Sequence, residues 1–340
     1  MRASRVKGAV GSTGLTSPLP VKRVTILRWT GRGSLSHLKG SVEYVLKAHG
    51  VHGRVSGAGS SVVVHQAEPL GVAALVRFMP GVSWVAAGFI ARSYEGLAEA
   101  GASLARSYLR RGERFSVEAE GTSGTLASDI GGGVTGRMLD AVKGARVSES
   151  PRVRFRVAAD GRGGVVGVEV CAGVGGTPTG TEEATCYVSG GVHSSVCAWM
   201  AAVSGYRVRM VHAKASDESV LAVARLYSEI SNRVDPRGVS LEVLKGGRVG
   251  AMLSKHAAET AGELFGGFTP GRSLPEGLRG VVSAPVFLLP EEEFAAIFES
   301  LGIRAAVAVT DWRQRGAPGY SVRTFRGGPA DVSGVLDGLR

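Results

Sequence analysis

The run Ser189-Gly190-Gly191-Val192-His193-Ser194-Ser195 combines residue types that could do chemistry. Glycines let a backbone approach an anion closely. N–H groups at the start of a helix, aligned with its dipole, attract phosphate. Ser189, Ser194 and Ser195 add hydroxyls, and His193 adds an imidazole. An ordinary strand-to-helix turn uses the same residue types, so the spacing supports a phosphate site and a plain turn about equally.

A second set is basic. Residues 1–180 hold 23 Lys and Arg against 12 Asp and Glu, whereas residues 181–340 hold 17 of each. The whole net charge of +11 therefore lies in the first half. Such asymmetry suits a polyanion-binding module joined to a neutral one. Within it, Arg106, Arg110, Arg111 and Arg114 cluster at the end of one expected helix and the start of the next strand. Arg137 and Lys143 flank a glycine-rich helix, and Arg152, Arg154 and Arg156 alternate along a strand and so share one face. Contacts from these groups, with Lys39, would read RNA by backbone and shape rather than sequence. A solvated charged face is the plainer alternative for any single one of them.

Cys171, Cys186 and Cys197 form no CxxC pair, and no histidine cluster accompanies them. No disulfide framework, zinc site or metal cluster is expected, and Cys186 and Cys197 read as small buried hydrophobes. With 44% hydrophobic and 20% charged residues over 340 positions, the chain has the make-up of a folded protein of two or three domains. No apolar run approaches the roughly 20 residues needed to span a bilayer, so no membrane partner is expected. The basic N-terminus lacks the apolar stretch of a secretory signal. The default compartment is a reducing cytoplasm.

The elements that must position these residues follow from periodicity. Residues 1–20 read as a flexible arm. A strand at Val24–Leu27, a helix at Ser34–Ala48, strands at Gly53–Ser56 and Ser61–His65, a helix at Leu70–Phe78 and a strand at Ser83–Ile90 give the order of a ferredoxin-like unit. A second α/β unit follows: a helix over 94–111, a strand at Arg114–Glu120, a helix at Ser128–Val142, and a hairpin of Arg152–Val157 with Val165–Val170. Gly173–Gly180 reads as a linker. Beyond it, strands at Ala184–Val188, Tyr206–His212 and Val239–Leu244 alternate with helices at Ser195–Ser204, Glu218–Ile230 and Gly250–Leu264. A further helix at Glu291–Leu301 and a strand at Arg304–Val309 are expected. Repeated strand–helix units argue for a mainly parallel sheet covered on both faces.

Taken in order, several short stretches resemble one family. Ser-Gly-Gly-x-Asp-Ser after a strand is the pyrophosphate loop of PP-loop ATP pyrophosphatases, and Ser189–Ser194 is similar to it. The join Gly175–Thr181 followed by Tyr187–Met200, Gly205 and Val211-His212 resembles that between the THUMP and PP-loop domains of tRNA 4-thiouridine synthetases. Leu38-Lys39-Gly40, Met79-Pro80-Gly81-Val82 and Phe115-Ser116-Val117-Glu118-Ala119 fit the same family, and the likeness covers about residues 21–213. It implies an α/β protein in three parts: a ferredoxin-like N-terminal unit at 21–80, a THUMP RNA-binding domain at 81–174, and a Rossmann-like PP-loop domain with a mainly parallel sheet at 175–340. It implies tRNA as partner, with the acceptor stem held by the first two parts. It also implies ATP with Mg²⁺ at Ser189, Gly190, Gly191, His193, Ser194 and Ser195. In the family, ATP adenylates a uridine oxygen, and sulfur from a cysteine persulfide then displaces AMP.

This chain departs from that pattern in three places. His193 stands where the family has Asp, a hard oxygen ligand suited to Mg²⁺. No cysteine follows Cys197, and the family's later Gly-Glu-Ser nucleotide segment is not found. Two readings follow: a tRNA-binding protein whose catalysis is impaired or lost, which the departures favour, or an ATP-dependent tRNA sulfurtransferase fed by a separate persulfide-donor protein. A homodimer is compatible with both. A THUMP-bearing methyltransferase is disfavoured, because neither a glycine-rich cofactor loop nor an Asn/Asp-Pro-Pro-aromatic motif follows residue 180.

Overall fold

The structure, a computed structural model, describes residues 22–65, 68–121, 124–160 and 163–267, with Leu278, Ile297 and the backbone of 321–326. The first unit opens with β1 (Lys22–Trp29), α1 (Leu35–Ala48), the hairpin β2 (Arg54–Ala58) and β3 (Ser61–His65), α2 (Pro69–Val76) and β4 (Val82–Ala91). These four strands lie in the order β2-β3-β1-β4, all antiparallel, which is the ferredoxin-like arrangement. α1 forms because Leu38, Val42, Val45 and Leu46 recur on one face and bury there.

The same sheet continues through β4 into a second group: α3 (Tyr94–Tyr108), β5 (Arg114–Glu120), α4 (Gly124–Ala141), β6 (Arg146–Val147), β7 (Val153–Asp160) and β8 (Gly163–Gly175). The eight strands run β2-β3-β1-β4-β8-β7-β5-β6. Helices α1 to α4 share one face, since Val85 packs beneath α1 and α2 while Phe89, four positions on and so on the same face of β4, packs beneath α3 and α4. α4 tolerates Gly131 for a packing reason: a Cβ there would lie 3.0 Å from the Ala119 Cβ on β5.

The other face of the sheet curls onto itself. Val24, Ile26, Val63, Ala86, Ala158 and Val165 form a small separate core, and β2 comes into contact with β7. Glycines permit the curl: a Cβ on Gly88 would meet the Val166 carbonyl at 2.0 Å, and one on Gly173 the Val82 carbonyl at 2.1 Å. Arg28 on β1 closes the curl by pairing with Glu120 on β5, and Glu120 also accepts from Ser60 at 2.8 Å.

The second sheet holds β9 (Glu183–Tyr187), β10 (Arg207–Ala213), β11 (Val239–Lys245), β12 (Glu263–Gly266) and β13 (Ser321–Arg326), in the order β12-β9-β10-β11-β13. The first four are parallel and β13 is antiparallel to β11, so the sheet is mainly parallel. α5 (Val192–Val203) and α6 (Asp217–Ser231) cover one face, over Cys186, Met210 and Leu241. α7 (Val249–Glu259) covers the other, over Tyr187, Val211 and Leu244. The chain steps from β9 to β10 to β11 in one direction and then returns to place β12 on the far side of β9. The order therefore reverses between β9 and β12, where crevices at the carboxyl ends of parallel strands receive ligands.

The join between the two units is specific. Thr177 and Gly180 donate backbone hydrogen bonds to Val203 and Gly205, at 2.8 and 2.7 Å. Arg77 and Arg233 stack on Phe78, with guanidinium carbons 4.4 and 5.0 Å from the ring centre.

The sequence expectations differ from this in three elements. Gly173–Gly180 is linker only in its second part, because β8 runs to Gly175 along β4. The expected helix Gly250–Leu264 ends at Glu259, and its last residues turn into β12, drawn into the sheet by pairing with β9. α4 starts at Gly124, earlier than its apolar periodicity indicated. The arm at 1–20 and the strand at Arg304–Val309 lie outside the described residues, as does the helix at Glu291–Leu301 apart from Ile297.

Candidate nucleotide loop and nucleic-acid interface

The Ser189–Ser195 loop stands at the carboxyl end of β9, beside the reversal point, and leads directly into α5. Gly191 is the N-cap of α5, so the first-turn amides of that helix project from the same end as the loop. Gly190 has φ +82°, a conformation that L side chains rarely adopt. It also has no room for one, since a Cβ would lie 2.8 Å from the Ala222 Cβ on α6.

The serines shape the loop from within. Ser194 and Ser195 are each about 2% exposed. Their hydroxyls donate to the Gly191 carbonyl at 3.0 and 2.9 Å, and the Ser194 hydroxyl accepts from the Ser189 amide at 3.1 Å. The Gly191 amide donates to the Ser189 hydroxyl at 3.3 Å. These bonds fold the turn around its own backbone, so Ser194 and Ser195 brace it more than they reach outward. His193 is half-buried on the first turn of α5.

Two supports come from outside the loop, and the sequence did not show that they brace it. Gly267, just past β12, lies so close to the loop that a Cβ would be 2.3 Å from the His193 carbonyl carbon and the Ser194 Cα. Its only sequence signal is a glycine pair after an apolar run. His212, at the end of β10, is buried. Its Nδ1 lies 2.9 Å from the Val188 carbonyl, and its Nε2 lies 2.9 Å from the Ser219 hydroxyl. Burial drives its pKa down from 6.5 to about 4, partly opposed by the bond to Val188, so the ring is neutral near pH 7.

Cys186 and Cys197 sit within the core on β9 and α5. A hydrogen bond with Cys197, together with burial, holds the Cys186 thiol well above its usual range, which makes it a poor nucleophile. Among the described residues, no group of three or more His, Cys, Asp and Glu is placed to hold a metal ion. Likewise, no helix there is long and apolar enough to cross a membrane.

The basic candidates separate into two kinds. The C-terminal ends of α3 and α4 meet the starts of β5, β6 and β7, tied by Gly112 to Gly144, Arg146 to Glu113 and Arg152 to Arg114 backbone bonds of 3.0–3.1 Å. This brings Arg110, Arg111, Arg114, Lys143, Arg146 and Arg152 to one end of the first unit, all exposed, with Arg106 on the last turn of α3. Arg152 pairs with Glu113 at 3.2 Å yet stays 79% exposed. Tyr108 and Val147 are exposed at the same end, at 44% and 56%. An aromatic face among guanidinium groups suits a nucleic acid, which offers both phosphates and bases.

The remaining basic candidates are engaged elsewhere. Arg156 is held by Glu118 and Glu169 and stacks on Trp84 at 4.8 Å. Arg154 lies 3.9 Å from Glu169. Arg137 pairs with Glu99 across α3 and α4, and Lys39 pairs with Glu43 at 3.7 Å along α1.

No protein-family model matches the chain, and no curated protein matches it in sequence. Solved structures do match in fold. The Pyrococcus horikoshii OT3 protein PH1313 superposes with a TM-score of 0.65 at 18% identity, over 82% of this chain and 99% of that one. A 4-thiouridine synthetase–RNA complex with bound ATP superposes with a TM-score of 0.61 at 16% identity, over 94% of this chain and 95% of that one. At these identities the likeness is one of fold: a mixed α/β architecture shared along nearly the whole chain.

Proposed function

We propose that this protein binds tRNA on a 4-thiouridine synthetase-like scaffold, through the exposed basic end formed by α3, α4 and the starts of β5 to β7. The observation that carries the reading is a coincidence of place. A fold similar to an RNA-bound and ATP-bound synthetase presents an unburied cation cluster with an exposed tyrosine on one unit and a glycine loop at a sheet reversal on the other. The division into a ferredoxin-like unit to residue 80, an RNA-binding domain at 81–174 and a loop-bearing domain from 175 onward belongs to this reading.

The loop fits a polyphosphate. Gly190 permits the positive-φ turn that leads into α5, and the helix end supplies positive potential. ATP, when bound, would supply an activating adenylyl group. The loop does not fit a Mg²⁺ ligand set, because its donors are hydroxyls and the His193 imidazole, with no carboxylate among them. On this reading catalysis is weakened or lost and RNA binding is retained.

An active sulfurtransferase is the second reading, with sulfur arriving from a separate donor protein. The inward bonds of Ser189, Ser194 and Ser195 favour it, since the loop keeps a demanding internal geometry. A homodimer accommodates either.

The deciding experiment measures AMP and pyrophosphate release from labelled ATP, with and without unmodified tRNA, alongside tRNA retention. Retention without release is expected. tRNA-dependent release would establish the second reading, and absence of both would refute the proposal.

A further inference from the structure

The strand that delivers the loop is gripped by a buried histidine on each face. On the α7 face, the Tyr187 hydroxyl meets Nδ1 of His256 at 3.1 Å, and Nε2 of His256 lies 3.3 Å from the Glu242 carboxylate. That contact holds a side chain. On the α5 and α6 face, His212 holds the backbone itself, at the residue immediately before Ser189.

The hydrogen-bond chemistry fixes the ring. A carbonyl can only accept, so Nδ1 carries the proton and donates to Val188. Nε2 of the neutral ring is then an acceptor, and it shares the single Ser219 hydroxyl proton with the Ser216 carbonyl, 2.8 Å from the same oxygen. Ser219 belongs to the reciprocal cap of α6: its amide donates to the Ser216 hydroxyl, and its own hydroxyl accepts from the Ser216 amide, both at 3.2 Å. α6 in turn carries Ala222, the residue against which Gly190 is pressed. One imidazole therefore links the strand end to the helix that dictates the loop's positive-φ turn.

We propose that His212 is the positioning residue of the Ser189–Ser195 loop, setting through the Val188 carbonyl and the α6 cap the backbone geometry in which the loop receives a polyphosphate. The inference rests on the reading of that loop as a phosphate site. His212 touches no ligand. It acts through Val188 and Ser219.

Three variants test it: His212→Asn, His212→Gln and Ser219→Ala. The Asn carboxamide nitrogen stands in for Nδ1 and keeps the bond to Val188. The Gln carboxamide reaches the Nε2 position and keeps the Ser219 side. Each loses one of two hydrogen bonds, so a merely structural role predicts similar losses of melting temperature and equal effects on the loop. The probes are inorganic pyrophosphate and ATP, titrated calorimetrically, together with amide hydrogen exchange at residues 189–195.

His212→Gln is expected to bind pyrophosphate about tenfold more weakly and to exchange faster at Ser189 and Gly191. His212→Asn should stay within about twofold of the parent, and Ser219→Ala should lose less than His212→Gln. Equal losses in Asn and Gln, or a Ser219→Ala loss matching that of Gln, would overturn the proposal. If the parent protein binds neither probe, the phosphate reading fails. The exchange contrast between Asn and Gln still decides whether His212 positions the loop.

Discussion

Replacing Gly190 with Ala tests the loop geometry most directly. Two costs add. The backbone sits at φ +82°, and a residue with a Cβ loses about 1–2 kcal/mol in the left-handed region. The new Cβ would also stand 2.8 Å from the Ala222 Cβ, against an ordinary carbon–carbon separation of about 3.5–4.0 Å. Relieving it forces α6 and the loop apart by nearly an ångström, an overpacking cost of about 1–3 kcal/mol. The total is about 3 kcal/mol, or a fall in melting temperature of roughly 6–12 °C for a domain of this size.

Gly191→Ala is the matched control. Its φ is −81°, and a Cβ there meets nothing nearer than the Ser189 hydroxyl oxygen at 3.4 Å. As the N-cap of α5 it loses only the preference for glycine over alanine there, so its stability should fall by no more than about 1 kcal/mol. Scanning calorimetry reads the stability, and pyrophosphate titration reads the loop. A Gly190→Ala protein melting within about 2 °C of the parent would show that Gly190 is neither strained nor pressed on α6, and the description of the loop would fail with it.

Three further outcomes are expected. Replacing Arg110, Arg111 and Arg114 together with Ala should weaken tRNA binding by tenfold or more and flatten its salt dependence by about 0.7–0.9 per lost phosphate contact, read by filter binding across salt concentrations. An unchanged slope would move the interface elsewhere. Arg156→Ala should behave oppositely, costing about 3 kcal/mol by leaving the partly buried Glu169 without its main counter-charge, while leaving the salt slope intact. Stability should also rise with pH between about 4 and 6.5. The folded His212 resists protonation until about pH 4, whereas the unfolded ring takes a proton from 6.5 downward, so acid favours unfolding by up to about 3 kcal/mol. Urea titrations should show that slope in the parent and its loss in His212→Asn.

Much of the architecture is legible along the chain because its causes are local. The apolar recurrence of Leu38, Val42, Val45 and Leu46 makes a helix wherever it is placed, and Val62, Val63 and Val64 favour a strand. The loop is legible for the same reason: two glycines and three serines between a strand and a helix lie within seven residues. The charge asymmetry is a property of composition and needs no fold.

Periodicity failed where pairing decided. Glu263 and Leu264 read as the tail of a helix and instead open a strand, because an edge of β9 receives them.

What only the tertiary structure decided is which like residues do unlike work. Arg152, Arg154 and Arg156 share one face by alternation, yet Arg152 stands in solvent while Arg156 is enclosed by carboxylates from two other strands. The curl of the first sheet, which lets Arg28 reach Glu120, comes from contacts between β4 and β8 that no local pattern announces. The loop's supports come from further along the chain: His212 from β10, Ala222 from α6 and Gly267 from beyond β12. A short segment can specify that a turn forms. Its exact backbone course depends on which atoms the folded chain presses against it, and those atoms are set by packing across the sheet.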